Sequence, residues 1–568
     1  MSSHRPPEAG ARAARGRFRL SPLFLLLCLA LIGCARAEPS AAATPATSAP
    51  PRPAAPALAG PPVQGAYDIG SPTLSELWVD PQHGDNGRSG ASRDQALATI
   101  GEAWRRIPQG QPLQNTGYRI NLVAGDYPDD TFPHYWEERH GTQQFPILLS
   151  SADGPGAARL LGNMNVFAVD HLYLLGLRIE NAGDVFHCEQ CSYLLIRDSV
   201  LASSGRQAQE TLKVNQSHHI YIEGSAIGGS HDNSVDFVGV QYGHILDSRI
   251  YDAQDWCLYL KGGSAYFTVA GNEIYDCGTG GFTAGQGTGF EFMVAPWLHY
   301  EAYAIQFYNN VIHDTEGAGF GVNGGYDILL AYNTLYRVGS RSHGLEFVFG
   351  GRGCDGDSAT CAAHRALGGW GSSVVGSDEP IPNRNVFVYN NLLYNPPGFR
   401  SQWQHFAIYG PRTPGAGTGI PNPARTDDTL QIRGNLIWNG PADLPLGIEG
   451  DDQGCLPANP TCNPTQLRAD NRINQVQPSL IDPAGGDFRP TPGSLAGIVA
   501  LPLPPFPAWD PFTPAVPAGE LTPVVLTDRA GRPRPANGPP GAYVDPATTP
   551  TSRTIFLPAL VVAARRAP

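Results

Sequence analysis

Of the 38 basic residues only Lys213 and Lys261 are lysine; the rest are arginine. Lysine can serve as a base where a nearby cation lowers its pKa, whereas arginine stays charged. Both lysines lie in a stretch rich in oxygen ligands, with Glu210, Asp232, Asn233, Asp236, Asp252 and Asp255 around them. Asp232-Asn233-Ser234-Val235-Asp236 puts three such side chains on one strand entry, with Glu210 upstream. A set of this kind suits calcium, which takes roughly six to eight oxygens. The structural alternative is that these are turn residues bonding their own backbone. Lys261 is the expected functional lysine, since its flanking glycines let a ligand approach. Lys213 is the expected partner for an anionic group of the substrate.

The element that would position these side chains is a repeat. A short phrase recurs with its polar anchor at Ser199, Ser225, Ser248, Asn272, Asn310, Asn333, Asn391 and Asn435, at steps of 26, 23, 24, 38, 23, 58 and 44 residues. A unit of about 23 residues is therefore interrupted by three insertions, placed near 278–301, 340–383 and 396–428. Each unit holds short alternating strands such as His219–Glu223 and Asn385–Tyr389 between Gly or Asn turns. Three such strands make one turn of an all-β, right-handed parallel β-helix over residues 75–495. The anchors are given a structural task, an amide ladder along the axis that pairs otherwise buried groups. Lys213 and Asp236 each lie twelve residues before an anchor and Lys261 eleven, so all three are expected on one face of adjacent coils.

Residues Leu77–Asp85, the amphipathic Asp94–Arg106 and Ile120–Tyr127 resemble the opening of bacterial pectate-lyase-like β-helix proteins, whose helix plugs the end of the solenoid. The Pro-rich residues 496–568 resemble their closing segment and tail. Within that family the acidic cluster resembles polysaccharide lyase family nine. The resemblance implies that Glu210, Asp232, Asn233 and Asp236 hold calcium and that Lys261 removes the proton beside a uronate carboxylate. The charge built on that carboxylate would be stabilised by the cation. In this chain Asn and Glu stand at two of the positions where the family has Asp.

The insertions are expected to wall the groove. Arg341 and Arg352 would bind substrate carboxylate, and Trp256, Trp297 and Tyr300 would stack on sugar rings or cover the insertion's own core. Glu291 and Glu346 are the best acids for a rival two-carboxylate hydrolysis. Asp355-Gly356-Asp357 is a second calcium point or a solvated loop.

The first 34 residues read as a signal, with five Arg before an apolar run. Leu31-Ile32-Gly33-Cys34 resembles a bacterial lipobox, which would lipidate Cys34; ordinary cleavage after Ala35 or Ala37 is the alternative. Residues 35–74, rich in Ala and Pro, read as a tether. The remaining eight Cys suggest disulfides of an exported chain, Cys188–Cys191, Cys257–Cys277, Cys354–Cys361 and Cys455–Cys462, although Cys188 and Cys191 also have the spacing of half a zinc site.

A formal charge of −13 argues against nucleic acid. With 67 Gly, 53 Pro and 16% charged residues, a helical bundle is excluded as well. The expected protein is an exported, monomeric, cell-surface or secreted lyase of an acidic polysaccharide, touching the membrane only through a lipid. A glycoside hydrolase or a non-catalytic surface binder on the same solenoid are the alternatives.

Overall fold

The computed structural model describes residues 65–449, 462–517 and 523–545. Cys34, the expected signal, most of the tether and Cys455 lie outside them.

Three parallel ladders wind into a right-handed β-helix, as the repeat predicts. The first sheet has twelve strands, from Leu74–Val79 through His218–Glu223 and Ser264–Ala270 to Gln431–Arg433. The second follows each anchor and includes Val200–Ser203, Arg249–Ala253 and Thr334–Val338. The third includes Tyr135–Glu137, Ala208–Asn215, Trp256–Lys261, Gly280–Gly285, Ala318–Asn323, Leu345–Val348 and Phe406–Ile408. Inward side chains of all three sheets, such as Ile222, Ile227 and Leu258, form one continuous apolar core.

The anchors mark the corner between the first and second sheets. The residue before each one takes a left-handed conformation: Asp198, Gly224, Asp247, Gly271, Asn309, Tyr332, Asn390 and Gly434 all have positive φ. This explains the Gly, Asn and Asp of the phrase, since few other residues tolerate that region. The anchors themselves form the expected ladder. Asn310 Nδ2 donates to Asn333 Oδ1 at 3.0 Å, Asn333 to Asn391 at 2.9 Å, and Asn391 to Asn435 at 2.9 Å. Ser199, Ser225 and Ser248 continue it through backbone amides, and Asn471 extends it by one coil.

Three features depart from expectation. The capping helix is only Ile100–Arg105, with Thr99 as N-cap and a single 3-10 turn, Arg93–Gln95, before it. It still closes the core end with Ile100, Ala103 and Trp104. The insertions start later than expected, because Gly280–Gly285, Leu345–Val348 and Phe406–Ile408 are regular third-sheet strands. Finally, the last residues of the presumed tether are docked: Tyr67 stacks on Tyr221 and its hydroxyl meets that of Tyr173 at 2.9 Å.

The first two insertions share a small sheet of Gly287–Gly289, Gly350–Gly353 and Asp378–Ile381, with the helix Ser358–Ala366 beside it. Disulfides join Cys188–Cys191, Cys257–Cys277 and Cys354–Cys361. Cys462 is also disulfide-bonded. Among the described residues no helix is long and apolar enough to cross a membrane.

Candidate functional site

Because strand residues alternate, every second side chain of the third sheet points out of the solenoid. Register sets them in rows. One row runs Tyr135, Asn165, His187, Lys213, Asp236, Tyr259, Thr283, Gly321 and Glu346. Lys213 and Asp236 are thus direct neighbours, as expected. Lys261 is not in their row; it pairs with Val238, which pairs with Asn215.

The two lysines have different surroundings. Lys213 Nζ lies 3.1 Å from Glu210 Oε1 and 3.0 Å from Asp236 Oδ2, and both acids are buried. Burial disfavours the Lys213 charge, but Asp236 and Glu210 outweigh it and hold the ammonium well above its ordinary pKa. Burial pushes the Glu210 carboxyl up to about 7 against the pull of Lys213. Lys261 Nζ instead donates to Gln286 Oε1 at 3.2 Å and sits 4.3 Å from the centroid of the Tyr259 ring. Lys213 is therefore a fixed charge, and Lys261 is the lysine without a carboxylate in contact.

Three of the four expected calcium ligands are engaged with protein partners. Glu210 and Asp236 converge on the Lys213 ammonium, and Asn233 turns its Nδ2 to the carbonyl of Trp256 at 2.9 Å. Asp232 stands half-buried at the strand entry. Two carboxylates already sharing an ammonium fall short of the oxygen shell calcium requires. Among the described residues, only Glu291, Cys354 and Cys361 bring three metal-capable side chains together, and there the two cysteines are disulfide-bonded.

Several further expectations are corrected. Arg352 is fully buried and cannot meet substrate: it pairs with Glu301, Nε to Oε1 at 2.9 Å, and donates to the Trp370 carbonyl at 2.7 Å. Arg341 is exposed and ion-paired with Glu316. Trp297 and Tyr300 offer no ring face to a sugar, being packed with Tyr303, Tyr326 and Trp370. Trp256 is buried because its ring fills the space left by the missing side chain of Gly280. Glu291 accepts the backbone N–H groups of Asp355, Gly356 and Asp357, which holds its carboxyl below the usual range although burial opposes this. Its oxygens are thus taken up by that loop, whereas those of Glu346 are taken up by Asn323 and His343. Asp357 caps the helix Ser358–Ala366, accepting from Ala359 and Thr360.

Glu346 does face outward. It accepts from Asn323 Nδ2 at 3.0 Å and pairs with His343 Nε2 at 2.8 Å, and Asn323 Oδ1 accepts from Thr283 Oγ1 at 2.9 Å. A residue not singled out in the sequence, Glu301, ties the site together. Its Oε2 accepts the Gly262 N–H at 3.0 Å and Thr288 Oγ1 at 2.6 Å while Oε1 holds Arg352. Through these bonds the insertions fix the end of the Lys261 strand. The signal was its place in the 38-residue step, without any spacing to reveal its partner.

The exposed large aromatics of the described residues are Tyr135, Phe167, Phe292, Trp403 and Tyr409, and all lie on or beside this sheet. Tyr135 and Phe167 belong to its early strands, and Tyr409 follows Phe406–Ile408. Phe292 is held there by Gln216 Nε2, which donates to its carbonyl at 3.1 Å.

The family model described as "Right handed beta helix region" matches residues 179–356. Among solved structures, the chain is similar to a pectate lyase (13% identity, TM-score 0.36, covering 49% of this chain and 76% of that one). It is also similar to a rhamnogalacturonan lyase (12% identity, TM-score 0.35, covering 64% and 87%). A third is the A-module of a mannuronan C-5 epimerase of Azotobacter vinelandii (12% identity, TM-score 0.34, covering 59% and 88%). No curated protein sequence matches the chain.

Proposed function

We propose that the protein binds a uronic-acid-containing polysaccharide along the outer face of the third sheet and cleaves it by β-elimination. The observation that carries this reading is the distribution of surface chemistry. Exposed aromatics border a face whose centre holds both lysines, and ten strands at ~4.8 Å spacing make it ~43 Å long. That length holds a chain of sugars, with ring faces for stacking and charges for carboxylates between them.

In this reading Lys261 removes the proton beside the uronate carboxylate. The electron pair becomes the new double bond, and the glycosidic oxygen leaves with a proton from water. Lys213 stays protonated and offers its remaining N–H to the substrate. Export on a lipid-modified Cys34 belongs to the same proposal, since three disulfides suit an oxidising compartment.

The test is ultraviolet absorbance of the unsaturated uronate on pectate, alginate and glycosaminoglycans, with calcium or a chelator. Wild type is expected to produce it at a rate that rises into alkaline pH, and Lys261→Ala to lower that rate at least about 100-fold. No unsaturated product on any polymer would overturn the reading. The chelator arm decides whether calcium takes part.

A further inference from the structure

Beside Glu346 the chain places a second set of reactive groups. Ser342 Oγ lies 2.9 Å from His343 Nδ1, and His343 Nε2 lies 2.8 Å from Glu346 Oε2. A carboxylate only accepts, so Glu346 puts the imidazole proton on Nε2 and leaves Nδ1 free to accept from the Ser342 hydroxyl. Asn323 fixes the other oxygen of Glu346 at 3.0 Å and is itself held by Thr283, so the carboxylate has little freedom to turn. The His343 and Glu346 side chains are only 11% and 12% exposed, while Ser342 is half-buried and open to solvent. This is the geometry of an activated hydroxyl: nucleophile, base, and an acid that orients the base.

Two aromatics flank it. The backbone N–H of Trp403 donates to the Ser342 carbonyl at 3.0 Å, which brings Trp403, 56% exposed, alongside the Ser342 backbone. The Tyr409 N–H donates to the Phe347 carbonyl at 3.3 Å, one residue beyond Glu346, and Tyr409 is 42% exposed. Ring faces of this kind receive sugars.

We infer that Ser342, His343 and Glu346 hydrolyse carboxylic esters carried on a sugar polymer. Ser342 Oγ attacks the ester carbonyl carbon while its proton passes to His343 Nδ1. The ester C–O bond then breaks, and the departing alkoxide takes that proton. Water, deprotonated by the same nitrogen, releases the acid from Ser342 and restores the hydroxyl. No oxidant or metal is needed, and the Glu346 carboxylate stabilises the imidazolium.

The experiment treats purified protein with a fluorophosphonate, which labels activated serines, and measures hydrolysis of p-nitrophenyl acetate. Labelling is expected on the peptide carrying Ser342. Ser342→Ala should abolish the label and lower ester turnover at least about 100-fold. Glu346→Gln preserves shape and should lower turnover about 10-fold with a shifted pH profile, a change that a purely structural hydrogen bond would not produce. Acetate released from an O-acetylated polymer, or methanol from a methyl-esterified one, identifies the natural ester. Absence of label on Ser342, or equal ester turnover by wild type and Ser342→Ala, overturns the inference. Neither readout involves an unsaturated product, so its failure and that of the elimination reading are distinguishable.

Discussion

The first and third sheets are made of strands of similar length with the same inward alternation, yet the chain treats their outer faces in opposite ways. Outward residues of the first sheet include a run of apolar side chains, among them Leu148, Tyr173, Leu195, Leu329 and Phe387. The chain covers much of them itself. Tyr67 lies on Tyr173 and Tyr221, Phe506 stacks on Phe387, and Trp509 and Phe512 pack on Tyr303 and Tyr326. The third sheet presents Asn165, His187, Lys213, Asp236 and Glu346 instead. An apolar face must be buried, whereas a face of paired polar groups can remain open to a ligand.

The comparison breaks most readily at Lys213. Lys213→Met leaves Glu210 and Asp236 buried beside each other without a cation, and removal of one partner of a buried ion pair costs about 3–5 kcal/mol. Denaturant unfolding should show that loss. Adding Glu210→Gln and Asp236→Asn to the same variant should recover most of it, because no uncompensated charge is then left. If Lys213→Met alone unfolds at the wild-type midpoint, the ammonium is not what holds this face together.

The covered sheet has its own buried acid, and pH reads it. Asp327 is fully buried and accepts from Asn385 Nδ2 at 2.7 Å; burial pushes its carboxyl up to about 7. An acid raised in the folded state is protonated there while already ionised in the unfolded chain. The folded state binds more protons between these two pKa values, so stability is full below about pH 4 and declines as pH rises through 7. Three pH units correspond to about 4 kcal/mol at most. Asp327→Asn should flatten that decline when unfolding is measured from pH 4 to pH 8. Glu210 on the open sheet, whose carboxyl is raised in the same direction, contributes to the slope that remains.

What could be read from the chain follows from which constraints leave a local mark. A left-handed corner followed by a stacked polar side chain favours Gly, Asn or Asp, with Tyr332 the exception, and then Asn or Ser, so coil count and ladder were visible. Gly280–Gly285 left a fainter mark: with glycine at three of its six positions, the alternation of this regular strand is too weak to separate it from the start of an insertion. Counting back from anchors placed Lys213 and Asp236 correctly because their coils are equally long. Lys261 also lies on that face, but two residues along its strand from the row, because its coil has one extra residue at the corner, where Gly262 and Gly263 both take positive φ. Tyr259, thirteen residues before Asn272, therefore takes the row position instead. Arg352 and Glu301 were opaque for a different reason. Their pairing joins two insertions 51 residues apart and depends only on tertiary packing.

The smallest effect tests whether the cover is separate from the chemistry. Trp509 stacks near Tyr266 at 5.8 Å between ring centroids and contacts Tyr326 edge-on at 5.3 Å, but it is only partly buried. Trp509→Ala removes less apolar contact than truncation of a core tryptophan, so about 2 kcal/mol of stability should be lost. The first-sheet aromatics would then meet water, and binding of a hydrophobic dye is the direct readout. Ester turnover and elimination should stay at wild-type rates, because the groups assigned to both lie on the other sheet. If either rate falls with the cover disturbed while the protein remains folded, the two faces are coupled through the core they share. The closing segment would then be part of the site's support rather than a lid on an apolar surface.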